Sequence, residues 1–176
     1  RVVELGTAYG GLADVLTGEL READVYVVDP FVPAYDENDL HSQALSAWAA
    51  QLSISGDDFS RAWGQALAYE QKSRHGCRYH QLMMPSVQGS EHFSDKSVDV
   101  VFVDGLHTFE GVAADIIAWL PKLRRPGGCF IFNDVNTRSF PGVTRAVASF
   151  SSGLALDVIL GERGVPPGLG NAAIML

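Results

Sequence analysis

The sequence has few cysteines, no cluster of basic residues and no long apolar run. Two cysteines among 176 residues exclude a disulfide-rich scaffold and are typical of a reducing compartment, so we expect a cytoplasmic protein. Lys and Arg number 13 against 21 Asp and Glu, which gives a net charge of −8. An acidic chain is poorly suited to the phosphate backbone, and we therefore expect no nucleic-acid partner. Because no apolar run approaches the ~20 residues of a membrane-spanning helix, we expect no membrane partner either.

Size and composition indicate one globular domain over residues 1–176. A hydrophobic content of 47% and a charged content of 19% are ordinary for such a domain. The sequence contains no internal repeat and no linker. It begins within a strand-like pattern, so we expect a preceding segment to be missing and any targeting signal to be unreadable. Assembly into a homo-oligomer is compatible with this composition.

Strand-like apolar segments alternate with segments of helical periodicity along the chain. This alternation is typical of a doubly wound α/β domain with a mostly parallel sheet. The sequence predicts helices near residues 11–22, 40–53, 57–73 and 141–150, and one more after the fourth strand. It predicts strands at residues 1–5, 24–28, 79–84, 98–103 and 129–132, and a closing hairpin from two apolar runs at 155–160 and 172–176.

Residues 31–76 form a helical insertion between the second and third predicted strands. The interval is much longer than the dozen or so residues that a crossover between parallel strands requires. In its first helix, one face carries Leu45, Trp48, Ala49 and Leu52; in the second, one face carries Phe59, Trp63, Leu67 and Glu70. An insertion at the carboxyl edge of a sheet often forms a substrate wall. A purely structural extension stays an equal alternative, and we expect the two tryptophans to serve core packing.

A glycine-rich turn follows the first strand and opens the first helix. Gly6 and Gly10 allow the backbone to approach a ligand closely, and the helix presents its N-terminal amide groups at the same place. Glu4 adds an acceptor that we expect to face the cavity. This mixture suits a nucleotide-like ligand that carries positive charge better than a pyrophosphate. A structural connection and a dinucleotide-binding loop stay open as alternatives at this point.

Acidic residues follow three of the predicted strands. Asp29 ends the second strand, where a carboxylate can accept both ribose hydroxyls of a nucleoside. Asp104 ends the fourth strand and Asp134 follows the fifth, so that their carboxylates are expected to converge as a hard cation requires. His107, three residues after Asp104, is placed to act as a general base. Alternatively, Asp29 forms a turn, the other two acids cap the helices that follow, and His107 only completes a loop.

These motifs together resemble those of the class I S-adenosylmethionine-dependent methyltransferases. The resemblance rests on Glu4-x-Gly6 with Gly10, on Asp29, on Asp104-Gly105-x-His107, and on Pro126-Gly127-Gly128 before Asn133-Asp134. Within the class, the chain is most similar to the metal-dependent small-molecule O-methyltransferases, which include macrocin and mycinamicin O-methyltransferases. The resemblance implies a Rossmann-like, seven-stranded sheet in the order 3-2-1-4-5-7-6, whose C-terminal hairpin is antiparallel.

The resemblance also implies a site. It places S-adenosylmethionine against Glu4, Gly6, Thr7, Ala8, Tyr9, Gly10, Asp29, Pro30, Ser86 and Asp104, with Asp29 at the ribose and Ser86 beside the adenine. It assigns a Mg²⁺ ion to Asp104, Asn133 and Asp134, and the role of general base to His107. Two positions depart from the family pattern. Ala8 replaces a glycine and is tolerable if its φ is negative, and Asn133 replaces a carboxylate and so supplies no charge.

We therefore expect an S-adenosylmethionine-dependent O-methyltransferase that acts on a hydroxyl of a small molecule, such as a sugar, a polyketide or a phenol of natural-product metabolism. An NAD-binding oxidoreductase is the first alternative. It is disfavoured by Glu4, because the residue two positions before the first glycine of a dinucleotide fold is usually apolar. A non-catalytic methyltransferase-like domain, which binds a partner through the insertion, is the second.

Overall fold

The computed structural model describes residues 1–32, 40–154, 158–160 and 172–176. Their strands are β1 (Val2–Leu5), β2 (Val25–Val28), β3 (Tyr79–Leu82), β4 (Val100–Val103), β5 (Cys129–Phe132), β6 (Val158–Leu160) and β7 (Ala172–Met175). Their α-helices are α1 (Gly11–Glu19), α2 (Leu40–Gln51), α3 (Gly56–His75), α4 (Ser86–Ser90), α5 (Phe109–Trp119) and α6 (Pro141–Leu154). Among these described helices, none has both the length and the apolar content that crossing a bilayer requires.

The described strands form one sheet in the order β3-β2-β1-β4-β5-β7-β6. The pairs among β1 to β5 are parallel, whereas β7 lies antiparallel to both β5 and β6. The predicted fold class, a Rossmann-like α/β sheet with an antiparallel C-terminal hairpin, is confirmed. The predicted residues 155–157 of the closing hairpin lie outside the described residues.

Several predicted boundaries were too long, and one helix was missed. β3 ends at Leu82 rather than at residue 84, because the amide of Met84 turns back to the carbonyl of Leu82. Val98 makes only an isolated bridge to Leu123, so β4 begins at Val100. The five-residue α4 is too short for an apolar periodicity to indicate it.

β1 is buried on both faces, as expected of a central parallel strand, whereas β4 and β5 are buried on one face and only partly buried on the other. Val3, Leu5, Val101, Phe130 and Phe132 are almost inaccessible to solvent. They belong to one core cluster that also includes residues of α5 and α6. Burial of these strands fixes the sheet and brings the carboxyl ends of β1, β2, β4 and β5 to one edge.

The insertion contains both predicted helices, but α3 buries a different face from the predicted one. Its buried residues are Ser60, Gly64, Leu67 and Gln71. Gly64 allows α3 to pack closely, because an added Cβ would lie 2.7 Å from the Phe31 side chain and 2.8 Å from that of Met83. Of the face predicted on α2, Ala49 is buried while Trp48 and Leu52 are exposed; the Leu45 side chain lies outside the described residues.

Gly6 brings the ends of β1 and β4 into backbone contact. Its φ is +77°, and an added Cβ would lie 2.3 Å from the carbonyl oxygen of Asp104. We expect Gly6→Ala to lower the free energy of unfolding by at least about 1 kcal/mol, because the substitution adds strain and a clash. Gly11→Ala is the matched control. No atom within 4 Å opposes a Cβ there, and alanine favours helix, so its effect on urea denaturation should be neutral or stabilising. Equal losses in both variants would contradict the prediction.

Glu4 is a buried carboxyl group in the centre of the sheet, only 2% exposed. Burial is the main reason that its pKa rises from 4.5 to about 8, repulsion from Asp104 and Asp29 adds to the rise, and a hydrogen bond from Thr7 opposes it. Between these two pH values the folded state keeps a proton that the unfolded state loses, so this group lowers stability as pH rises.

Glu4→Gln removes this titration while keeping the shape of the side chain. We expect the melting temperature of the variant, relative to that of the wild type, to increase from pH 5 to pH 8. Differential scanning calorimetry at several pH values measures this difference. If the difference in melting temperature between variant and wild type stays constant from pH 5 to pH 8, the titration of Glu4 does not contribute to stability.

Candidate functional site

A cavity of about 570 Å³ opens at the edge of the sheet where the parallel strands end. Its walls come from the loops after β1, β2, β4 and β5, from the starts of α4 and α5, and from the insertion helices α2 and α3. Ligands of open α/β sheets bind at this edge. The strand order therefore brings nearly all the predicted site residues to one place.

The glycine loop after β1 forms one side of the cavity. Gly6, Thr7, Ala8 and Tyr9, which are predicted to bind the cofactor, line it. Two predicted residues are not part of the lining. Gly10 is instead the left-handed N-cap residue of α1, and an added Cβ there would meet the Leu67 side chain at 2.7 Å.

Glu4 is the second predicted residue that does not reach the cavity surface. Its carboxylate lies beneath the loop and accepts a hydrogen bond of 2.9 Å from the hydroxyl of Thr7. The prediction that Glu4 faces the ligand is thus corrected, since an inward side chain on a central strand is covered by the loop that follows it. Glu4 supports the conformation of the loop through Thr7.

Ala8 does not have the negative φ that was expected to make alanine tolerable in place of glycine. Its φ is +45°, in the left-handed region that favours glycine, and an L-residue there costs about 1–2 kcal/mol. Two contacts hold this conformation. The amide of Ala8 donates to Asp29 Oδ2 at 3.3 Å, and its carbonyl accepts a hydrogen bond of 3.0 Å from Trp63 Nε1.

Asp29 connects the end of β2 to the glycine loop. Its Oδ2 accepts hydrogen bonds from the amides of Thr7 at 2.9 Å and of Ala8, while its Oδ1 accepts one from the amide of Phe31 at 2.7 Å. The turn-forming alternative therefore describes part of its role. Asp29 and Pro30 both line the cavity, so Asp29 is also placed to meet a ligand.

A cluster of ionisable side chains lies at the ends of β4 and β5. Nε2 of His107 is 3.5 Å from Asp104 Oδ1 and 3.2 Å from Asp134 Oδ2. One ligand atom of each residue falls within 4.8 Å of the others. Burial is the largest cause of a raised pKa of Asp134; Asp104 adds repulsion, and His107 opposes the shift. The ring of His107 also stacks on Phe140, with 4.1 Å between the ring centroids.

Neither acid of this cluster is the cap of the helix that follows. Thr108 is the N-cap of α5, since its hydroxyl accepts from the amide of Gly111. α6 begins only at Pro141, seven residues after Asp134. The capping alternative is therefore wrong for both carboxylates.

Asn133 lines the cavity beside the acidic cluster. Its Nδ2 donates a hydrogen bond of 2.9 Å to Asp104 Oδ1, so Asn133 orients Asp104. Its role as a metal ligand through the carbonyl oxygen stays a prediction. Among the described His, Cys, Asp and Glu side chains, Asp104, His107 and Asp134 form a cluster that could hold an ion.

Aromatic side chains of the insertion form the wall opposite the sheet edge. Trp48, Phe59 and Trp63 line the cavity, which corrects the expectation that the two tryptophans serve the core. Tyr9 lies between these tryptophans, with ring centroids 6.4 Å from Trp48 and 5.9 Å from Trp63. The insertion therefore contributes a wall of the cavity, as one of the two predicted alternatives has it.

Asp115 is a cavity residue that is not among the predicted site residues. It lies on α5, lines the cavity and is only 5% exposed. Burial raises its pKa to about 6, and a hydrogen bond with Ser86 opposes the rise. A signal was available, because Asp115 occupies the buried stripe of α5 beside Val112, Ile116 and Trp119. An acid on such a stripe needs a polar partner or a ligand.

Known structures with this fold include two O-methyltransferases. The O-methyltransferase NovP superposes on 99% of the chain and 71% of its own length, with a TM-score of 0.65 and 18% identity. CalS11, a TDP-rhamnose 3′-O-methyltransferase of calicheamicin biosynthesis, gives a TM-score of 0.65, 13% identity and coverages of 99% and 70%. Cofactor-bound Rv0187 from MTB gives a TM-score of 0.61 and 16% identity, and the superposition covers 99% of this chain and 72% of that one.

The sequence comparisons cover less of the relatives but identify a family. An uncharacterized protein, y4gI, of Sinorhizobium fredii is 28% identical over 144 residues, which are 78% of this chain and 13% of that protein. The chain thus spans about an eighth of that relative's length. A family model described as a methyltransferase domain matches residues 3–135, from the start of β1 past the acidic cluster. The chain therefore belongs to this methyltransferase domain family.

Proposed function

We propose that the protein transfers the methyl group of S-adenosylmethionine to a hydroxyl oxygen of a small molecule, with the assistance of a divalent cation. The observation that carries the proposal is that the glycine loop and the cluster of Asp104, His107 and Asp134 open into the same cavity. A methyl donor bound at the loop and a hydroxyl bound at the cluster would lie in the same cavity, with no protein between them. The two O-methyltransferases with the same fold support this choice of acceptor atom.

The shape and charge of the cavity suit the proposed donor. The loop offers close backbone approach at Gly6 and Thr7, while Asp29 offers carboxylate oxygens to ribose hydroxyls. The carboxylates of Asp29 and Asp104 lie near enough to Glu4 for their repulsion to add to the rise in its pKa. Such an acidic environment favours a sulfonium cation over the negatively charged pyrophosphate of NAD.

The cluster fits a hard divalent cation. Two carboxylates converge with an imidazole, and carboxylate oxygens are the ligands that Mg²⁺ prefers. Asp104 and Asp134 would hold the ion, with Asn133 orienting Asp104. When bound, such an ion lowers the pKa of an acceptor hydroxyl. His107, held by Phe140 and the two acids, would take the hydroxyl proton as the methyl group is transferred. Phe140 and the aromatic wall would exclude water from the reacting atoms.

Cofactor choice is the first test of the proposal. S-adenosylhomocysteine at 100 times its dissociation constant should stabilise the protein by about 2.7 kcal/mol in thermal unfolding, whereas NAD should cause no shift. Asp29→Asn should weaken binding by about 1.5–3 kcal/mol, the size of a hydrogen bond to a charged group. Glu22→Gln is the control, because Glu22 is exposed and precedes β2, at the opposite edge of the sheet from the cavity. A shift with NAD alone would refute the proposal.

The metal and His107 provide the second test. Methyl transfer can be followed as S-adenosylhomocysteine release, with a panel of phenols, catechols, sugar nucleotides and hydroxylated polyketides as acceptors. We expect EDTA, Asp104→Ala and Asp134→Ala each to abolish turnover. With EDTA and in Asp134→Ala, cofactor binding measured by calorimetry should stay nearly unchanged. His107→Ala should reduce turnover by about 10²–10⁴, the usual contribution of a general base. If turnover survives both EDTA and the carboxylate substitutions, methyl transfer does not need a metal ion, and that part of the proposal is wrong.

A further inference from the structure

Trp63 is a residue of the insertion that makes direct contact with the glycine loop. Its indole Nε1 donates a hydrogen bond of 3.0 Å to the carbonyl oxygen of Ala8, which lies 55 positions earlier in the chain. Its ring also stands edge-on to the ring of Tyr9, with 5.9 Å between the centroids and 84° between the planes. One side chain of α3 therefore contacts two consecutive residues of the loop.

Ala8 is the residue at which the loop is strained. Its φ of +45° lies in the left-handed region, which glycine adopts without a steric penalty and alanine does not. The two glycines of the loop, Gly6 and Gly10, also have positive φ values, of +77° and +74°, but carry no Cβ. If Ala8 relaxed to a negative φ, its carbonyl group would point elsewhere. A donor that holds this carbonyl therefore also holds the strained conformation.

The neighbouring Thr7 is held by other parts of the sheet. Its amide donates to Asp29 Oδ2 at 2.9 Å, and its hydroxyl donates to Glu4 Oε2 at 2.9 Å. The amide of Ala8 donates to the same oxygen of Asp29 at 3.3 Å, which is longer than usual for such a bond. Ala8 thus depends on one long hydrogen bond and on Trp63, and loss of the indole donor should release Ala8 while Thr7 stays in place.

We infer that Trp63 is a positioning residue for the cofactor, because its indole N–H keeps Ala8 in the left-handed conformation of the ligand-binding loop. This inference rests on the proposed function, and it gives the insertion a role in cofactor binding as well as a place in the cavity wall. The apparent affinity of a ligand falls with the fraction of molecules that have the binding conformation. Loss of the hydrogen bond should therefore weaken cofactor binding even when an aromatic ring is kept at position 63.

The test is a double-mutant cycle in which isothermal titration calorimetry measures the dissociation constant of S-adenosylhomocysteine. Trp63→Phe keeps a ring in the wall and removes the donor, so it should weaken binding about threefold to tenfold, the change that corresponds to a typical hydrogen bond. Ala8→Gly removes the strain, so the loop should keep its binding conformation without the donor. When Ala8→Gly is already present, Trp63→Phe should change the dissociation constant by less than about twofold.

Trp48→Phe is the matched control. Trp48 lines the same wall and its ring also lies near Tyr9, so this substitution should leave the dissociation constant unchanged. Because Trp63 is 41% exposed, its substitution should leave the protein folded, which urea denaturation of each variant verifies.

Two results would overturn the role of Trp63 while leaving the proposed function intact. One is a loss of affinity from Trp63→Phe that is equal with and without Ala8→Gly, because the ring and not the conformation of Ala8 would then be responsible. The other is unchanged affinity in Trp63→Phe alone. If the wild type does not bind S-adenosylhomocysteine, the proposed function and this inference are both wrong.

Discussion

The backbone contact between Gly6 and Asp104 is the constraint on which the rest of the site depends. β1 and β4 are neighbouring parallel strands, and the amide of Asp104 donates to the carbonyl of Leu5 at 2.9 Å. Because Gly6, the first residue after β1, has no side chain, the loops after the two strands come within contact distance. The glycine loop and the acidic cluster can share a cavity only because of this close approach.

The acidic side chains of the site lie at different depths below the protein surface. Glu4 lies beneath the glycine loop, Asp29 joins that loop to β2, and Asp104 and Asp134 stand at the open edge with His107 between them. Deeper carboxyl groups pay a larger desolvation penalty, which is why burial dominates the raised pKa of Glu4. A cationic ligand would relieve the repulsion among Asp29, Asp104 and Asp134, whereas an anionic one would increase it.

The insertion completes the cavity and also holds the loop in its strained form. Trp63 reaches from α3 to the carbonyl of Ala8, the residue with a positive φ. The end of α3 is tied to α1 through a hydrogen bond of 2.7 Å between His75 Nε2 and Asp14 Oδ1. Because α3 buries small and polar residues against the sheet, its large rings are left for the cavity wall. One segment therefore supplies both an aromatic surface and support for the ligand-binding loop.

The sequence by itself determined the α/β fold, the strand order through the family resemblance, and the polar residues that follow each strand. Those features are local or periodic, since continuous apolar strands and Gly, Asp and His at strand ends can be recognised without knowing their neighbours. Only the tertiary structure decided which side chains reach the cavity. Glu4 is covered by the loop after it, and Asn133 turns its amide nitrogen to Asp104. Trp63 points to the cavity because α3 buries another face, and Trp48 of α2 lines the same cavity. Asp115 meets Ser86 although 29 residues separate them. Such pairings depend on how distant elements pack, and no single stretch of sequence records them.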